Sequence, residues 1–313
     1  MNSEARRGTM YGFGAYLLWG IFPLYFRLLD RAGAFEIVLH RVLWSLLVCL
    51  ILIAATRAWP QLRLVLSSPR RVLILGSAAT AVALNWGVYI YAVNSNQVVE
   101  ASLGYFINPL VTVALGVVVL KERLRPIQWV AVGIGVAAVA VLTVDYGRLP
   151  YIALTLAGSF GLYGLLKNRV GVGEQGVGAV TGLTVETMLL APLAAIAVGV
   201  LTVNGHSNFA ENPPWQALLL ASTGLVTVAP LLLFASAASR VPLTTMGLLQ
   251  YLTPVLQLLC GVLVLGEQMA ASRWAGFALV WTALAVLTFD SLRAARRNHL
   301  IRVSDEAELA RAV

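Results

Sequence analysis

Glu100-Ala101-Ser102-Leu103-Gly104-Tyr105-Phe106-Ile107-Asn108-Pro109-Leu110-Val111 opens an apolar run that ends only at Lys121-Glu122. A helix rises about 1.5 Å per residue, so a run of this length crosses a hydrocarbon core roughly 30 Å thick. Pro109 falls near its middle. Proline lacks an N–H, and its ring pushes on the carbonyl four residues back, here that of Tyr105. A bend with one free carbonyl is therefore expected at mid-membrane, where only protein or a wet cavity can satisfy it. Tyr105 and Asn108 flank the bend as polar candidates to line such a cavity. A partner stretch lies 145 residues on, from Leu248 to Glu267, with Pro254 at the same depth. Its freed carbonyl is that of Gln250, beside Tyr251.

The whole chain follows the same chemistry. Its 313 residues are 59% hydrophobic and 12% charged, whereas soluble domains carry about 25% charged residues. This is a polytopic membrane protein whose surroundings are the lipid bilayer. The net charge of +8 sits in short loops and is no nucleic-acid signal. Cys49 and Cys260 lie inside apolar segments, without disulfide or zinc spacing. No GxSxG, HExxH, P-loop or paired-carboxylate motif occurs, so neither an enzyme, nor ATP-driven transport by this chain, nor a metal or cofactor is implied. Arg6-Arg7 precedes an apolar run that lacks a small-residue cleavage site, and is read as the start of an uncleaved first helix.

Ten apolar spans can be drawn, near 8–28, 34–55, 70–93, 98–120, 126–145, 150–168, 177–202, 214–238, 242–265 and 272–292. Lys and Arg concentrate in alternate loops, those holding Arg57 to Arg71, Lys121 to Arg125, Lys167 with Arg169, and Arg240. The opposite loops hold only Arg27, Arg31, Arg148 and Arg273. By the positive-inside rule both termini are cytoplasmic. At an offset of 145, Pro109 matches Pro254, Gly116 matches Gly261, Glu122 matches Glu267, Trp129 matches Trp274 and Asp145 matches Asp290. Each half holds five spans, an odd number, so the two must insert with opposite topology. The expected fold is all-α: two inverted five-helix repeats, 1–147 and 148–292, and a solvated tail, 293–313. Spans one to four and six to nine would form a central cavity. The fifth and tenth would be packing elements or the contact of a homodimer. Inverted repeats with interrupted helices at the midplane mark secondary transporters.

Polar side chains at membrane depth are costly and default to functional hypotheses. Glu186 is expected nearly at the centre of the seventh span, either as a proton carrier or as a structural residue in a buried ion pair or hydrogen bond. Arg41 binds a carboxylate or phosphate, pairs with Glu186, or snorkels to the surface. His40 is a proton relay or a packing residue. Asn85, Trp86 and Tyr89 share one turn of the third span and form a candidate stripe. Trp19 and Tyr163 are candidates for the same cavity, and Tyr25 reads best as an interfacial anchor. The candidate substrate-binding set is thus Trp19, Arg41, Asn85, Trp86, Tyr89, Tyr105, Asn108, Tyr163, Gln250 and Tyr251. Glu186 and His40 are the coupling candidates, and Glu122 and Glu267 are read as helix-end contacts.

From about Gly12 to Arg293 the chain resembles the drug/metabolite transporter superfamily, in its EamA-type ten-helix branch, and within it the RarD-type, chloramphenicol-sensitivity, permeases. The motifs are Ala15-Tyr16-Leu17-Leu18-Trp19-Gly20 with Pro23 and Tyr25, Glu36-Ile37 with His40-Arg41, Asn85-Trp86, Glu100 to Val111, Tyr163-Gly164-Leu165, Glu186-Thr187, and Gln250-Tyr251 with Pro254. The family pattern places Gly before the loop glutamate of each half; here Gly266 keeps it and Lys121 replaces it. Thr112 stands where the pattern has Asn. The resemblance implies a plasma-membrane permease that exports a small organic metabolite or drug-like solute by alternating access. The alternatives are an uncoupled facilitator and a non-transporting structural or regulatory membrane protein.

Overall fold

A computed structural model describes residues 3–121, 123–171, 176–211, 213–238, 240–241 and 243–311. Glu122, one of the two loop glutamates, lies outside the described residues. Among these residues the fold is entirely helical. The elements are α1 (Ser3–Arg27), α2 (Ala34–Ala55), α3 (Trp59–Leu66), α4 (Pro69–Asn94), α5 (Val98–Leu120), α6 (Pro126–Tyr146) and α7 (Tyr151–Gly171). They continue with α8 (Ala179–Val203), α9 (Asn208–Glu211), α10 (Pro214–Ala238), α11 (Leu243–Leu249), α12 (Leu252–Leu259) and α13 (Ala271–Arg311). A π-helical turn, Cys260–Val264, extends α12.

Eight described segments are long and apolar enough to cross a membrane, against ten spans drawn from the sequence. The two outside this group are α1 and α7. Each opens one half of the repeat and carries polar side chains, Arg6 and Arg7 in α1 and Ser159, Tyr163 and Lys167 in α7, that dilute its hydropathy. Loop chemistry sets the ends. Ser68 caps α4 ahead of Pro69. Before α6, the Gln128 side chain accepts the Arg125 N–H at 2.9 Å. Short α3 was not foreseen. Leu62 and Val65 bury one face of it against Ile53 and Leu75, which is amphipathic pairing too brief to read as a span.

The two prolines act differently. Around Pro254 the helix breaks at Gln250–Tyr251, between α11 and α12, where the Gln250 carbonyl has lost its donor. Helix α5 stays helical through Pro109, whereas the chain is interrupted ahead of Pro254. The helix ends beyond them do correspond. Lys121 (φ 57°) follows α5, and Gly266 (φ 69°) lies just past the π turn, both left-handed. Helix α13 runs through the expected tail to Arg311. The Ala, Leu, Arg and Glu content of that tail favours helix.

The chain divides into two compact units. The first, residues 1–112 and 151–268, holds α1–α4, the start of α5, and α7–α12. Within it α1 packs on α10 and α12, α7 on α4, and α2 on both α8 and α10. Lipid tails are as apolar as leucine, so small residues and interhelical hydrogen bonds must hold such helices together. Gly224 of α10 is one such contact: a Cβ there would lie 2.4 Å from the Trp44 backbone of α2. Thr253 donates to the Tyr16 carbonyl (2.9 Å) and Gln257 to that of Trp19 (3.1 Å), tying α12 to α1.

The second unit, residues 113–150 and 269–313, pairs α6 with α13. Asp145, at the end of α6, meets Arg273 at the start of α13 (3.0 Å) and also accepts from Ser272. Asp290, deep in α13, meets Arg125 just before α6 (2.5 Å). The helices are therefore antiparallel, and the two repeat-matched aspartates clamp opposite ends.

Candidate functional site

Gly224 lets α10 touch α2 at Trp44, and one turn along each helix the same approach brings Thr227 to Arg41. The Nε of Arg41 donates to Thr227 Oγ1 at 2.8 Å. Its guanidinium carbon lies 4.0 Å from the Trp86 ring centre, 5.4 Å from Phe26 and 5.8 Å from Phe22. Each cation–π contact contributes ~0.5–2 kcal/mol, and together they offset part of a burial cost of about 2.5–3.5 kcal/mol or more. Arg41 is 4% exposed. It neither snorkels nor pairs with Glu186.

Next to Trp86, Asn85 bridges three helices. Its Nδ2 donates to the Leu156 carbonyl (3.0 Å) and Ser159 Oγ (3.1 Å) of α7. Its Oδ1 accepts from the Tyr105 hydroxyl of α5 at 3.1 Å. The Tyr105 ring stands edge-on to Tyr89, which stands edge-on to Phe26. The Tyr89 hydroxyl is buried without a hydrogen-bond partner. Arg41, Asn85, Trp86, Tyr89 and Tyr105 thus form one polar and aromatic cluster inside the first unit. Tyr25 borders it and binds α10 through the Leu219 carbonyl and Ser222 Oγ, both at 2.8 Å. That is an interhelical bond, beyond the anchoring role expected for it.

Phe160 carries the ring contacts on from Tyr105 to Tyr163. The Tyr163 hydroxyl donates to Glu186 Oε2 at 3.3 Å, and Lys167 Nζ to Oε1 at 2.7 Å. Gly182, one turn before Glu186, leaves the space that Nζ occupies. Glu186 therefore belongs to an ion pair, but its cation is Lys167 of α7, which the sequence reading assigned to a loop. The pair sits in the first third of α8, off the helix centre.

Against this geometry, the model of the EamA-like transporter family matches the chain twice, over residues 6–144 and 151–289. The chain belongs to the EamA-like transporter family. Within the family it is a permease of RarD type. Protein RarD of Streptomyces exfoliatus is 51% identical over 95% of this chain and 93% of its own length. Protein RarD of Escherichia coli K12 is 40% identical over 94% and 98%. The chloramphenicol-sensitive protein RarD of Pseudomonas aeruginosa is 31% identical over 93% and 97%. A solved crystal structure with 21% identity superposes with a TM-score of 0.57, covering 90% of this chain and 97% of that one, which is a likeness of fold.

Among the other candidate residues of this EamA permease, Trp19 packs against the core that holds Phe26 and Tyr89. His40 turns away from Arg41, stacks on Phe209 (4.7 Å between ring centres) and comes within 4.0 Å of Glu36. The two coupling candidates, His40 and Glu186, are therefore not partners. Trp19 packs with Tyr16 and Phe234. Gln250 and Tyr251 form the turn between α11 and α12, and the Oδ1 of Asn108 is buried without a partner.

Among the described residues the fold uses three carboxylates as helix caps, and sequence reasoning gave no role to two of them, Glu36 and Glu100. Glu36 accepts the Asn208 N–H (2.7 Å) and its side-chain amide (2.8 Å). Glu100 accepts the Ile152 N–H at 3.1 Å. Glu267 accepts the N–H groups of Val98 (2.6 Å) and Val99 (2.9 Å), the helix-end contact expected of it. Orphan donors and the positive dipole end make these places favourable for a carboxylate. The available signal was position: each acid borders a span end.

Proposed function

We propose that this EamA permease is a secondary transporter that exports small organic metabolites or drug-like solutes across the plasma membrane by alternating access. Ten spans would form two inverted repeats, 1–147 and 148–292, with both termini cytoplasmic. The observation that carries the reading is the buried cluster around Arg41, Asn85 and Tyr105. Helices from both family-matched stretches build it, and it places a buried cation, an amide and two tyrosines together among aromatic rings. Reciprocal packing supports the inversion: α1 lies on α10 as α7 lies on α4, and Asp145 and Asp290 clamp α6 and α13 from opposite ends. Outward side chains such as Val136 and Val144 suit lipid.

Glu186 is proposed as the proton-coupling residue, with protonation releasing Lys167. A second reading, an uncoupled facilitator, draws on the same pair, because an acid held by Lys167 and Tyr163 can be purely structural. Proteoliposome flux decides between them. Exchange driven by an imposed pH gradient, and lost in Glu186→Gln, supports coupling; flux indifferent to the gradient supports the facilitator. Chloramphenicol, which figures in one relative's name, is a first solute to test. Reporters after Arg293 and in the Arg123–Arg125 loop should read cytoplasm, and one at His206 should read outside. A cytoplasmic signal at His206 would break the inverted arrangement.

A further inference from the structure

We propose that the transported solute is an organic anion whose carboxylate, or an equivalent acid group, docks on the free edge of the Arg41 guanidinium. The proposal rests on the permease reading and names the class of solute. A buried cation needs a counter-charge, and every buried or half-buried carboxylate described in the first unit is engaged elsewhere. Glu36 and Glu267 hold the starts of α9 and α5, Glu100 holds the start of α7, and Glu186 holds Lys167. Among the described residues Arg41 forms no ion pair, and its hydrogen bond is the one from Nε to Thr227. Trp86, Phe26 and Phe22 crowd the guanidinium, whose carbon lies over all three rings. Ring contacts of this kind use none of the terminal N–H groups, and the rim of the planar fork is where carboxylates bind with two parallel hydrogen bonds.

A second observation points to the same ligand. Tyr89 is 3% exposed, and its hydroxyl has no hydrogen-bond partner. Tyr89 and Tyr25 both stand edge-on to Phe26, one of the rings around Arg41, and Tyr105 stands edge-on to Tyr89. The Tyr105 hydroxyl is already given to Asn85, and that of Tyr25 is bonded to α10. The Tyr89 O–H remains to donate. A cation and a neutral donor, both buried and both unspent, make a recognition site for an anion. Bound anion would offset the part of the burial cost that the aromatic rings leave, so occupancy and stability are linked.

The test uses the full chain purified in maltoside. It is titrated with three matched pairs, phenylacetate and phenylacetamide, benzoate and benzamide, butyrate and butyramide, while tryptophan emission and thermal unfolding are followed. At least one acid should bind tenfold or more tightly than its amide. Arg41→Gln removes an unpaired charge, so it should fold and lose the preference. Tyr89→Phe removes one hydroxyl and should weaken the acid severalfold while leaving the amide unchanged. No preference in the parent across the three pairs, or a preference retained in Arg41→Gln, overturns the proposal. Phosphatidylglycerol is added as a further arm; if it occupies Arg41 and the small acids do not, the site is a lipid headgroup site and the proposal fails. Flux in proteoliposomes separates this inference from the reading beneath it. Transport of amides but not acids removes the anion and keeps the permease. Acid-selective binding with no flux of any solute keeps the site and removes the permease.

Discussion

Lys167 Nζ lies 2.7 Å from Glu186 Oε1, and the two side chains differ sharply in exposure, 23% against 1%. The difference makes the pair asymmetric. Lys167 can swing toward solvent when its partner is removed, whereas Glu186 cannot. Lys167→Met should therefore destabilise more than Glu186→Gln, up to about 3 kcal/mol against about 1 kcal/mol or less. The double mutant should recover most of the loss. Thermal unfolding of the four proteins in detergent gives the double-mutant cycle. Equal losses for the two single mutants would mean that Glu186 reaches water too.

Gly224 sets the contact that carries Arg41. A methyl group there collides with backbone, not with a flexible side chain, so α10 must withdraw from α2. Gly224→Ala should cost about 1–3 kcal/mol by overpacking and impair transport, because Thr227 leaves Arg41. Gly199→Ala in α8 meets nothing within 4 Å. It should be neutral, or stabilising by up to ~1 kcal/mol through helix propensity. The contrast, read from melting temperatures and flux, separates close approach from a general intolerance of alanine.

Lys121 occupies a left-handed backbone position, as Gly266 does at the matched site. A non-glycine residue there costs roughly 1–2 kcal/mol. Lys121→Gly should stabilise the protein by about 1 kcal/mol, and Gly266→Lys should destabilise it by a similar amount. Thermal melts check both signs.

The prolines should behave unequally. Pro254→Ala supplies an N–H where the helix is broken at Gln250–Tyr251, and is expected to join α11 to α12 and reduce flux severalfold. Pro109→Ala acts on a helix that is already continuous and should change flux less. Proteoliposome exchange at matched protein levels distinguishes them; identical losses would show that helix continuity is not what matters.

The sequence by itself determined the class of protein and most of its plan. Apolar length decides which segments can cross a bilayer, and that is a local property, so α2, α4, α5, α6, α8 and α10 are legible with near-correct ends, and α13 at its start. The doubled match of prolines, glycines and acids at an offset of 145 is likewise a pattern of the sequence alone. Asn85, Trp86 and Tyr89 share a turn whatever surrounds them, so their cluster was readable. Tertiary structure alone decided the partners. Glu186 took Lys167 because that long side chain of α7 reaches α8 in the space that Gly182 leaves, while Gly224 and Trp86 hold Arg41 in a different contact. The neighbours of a buried charge are chosen by helix packing, which brings together residues with no relation of spacing along the chain. For the same reason Pro109 and Pro254, equal in sequence, differ in effect: a proline removes one hydrogen bond in either place, and the helices packed around it decide whether the backbone breaks.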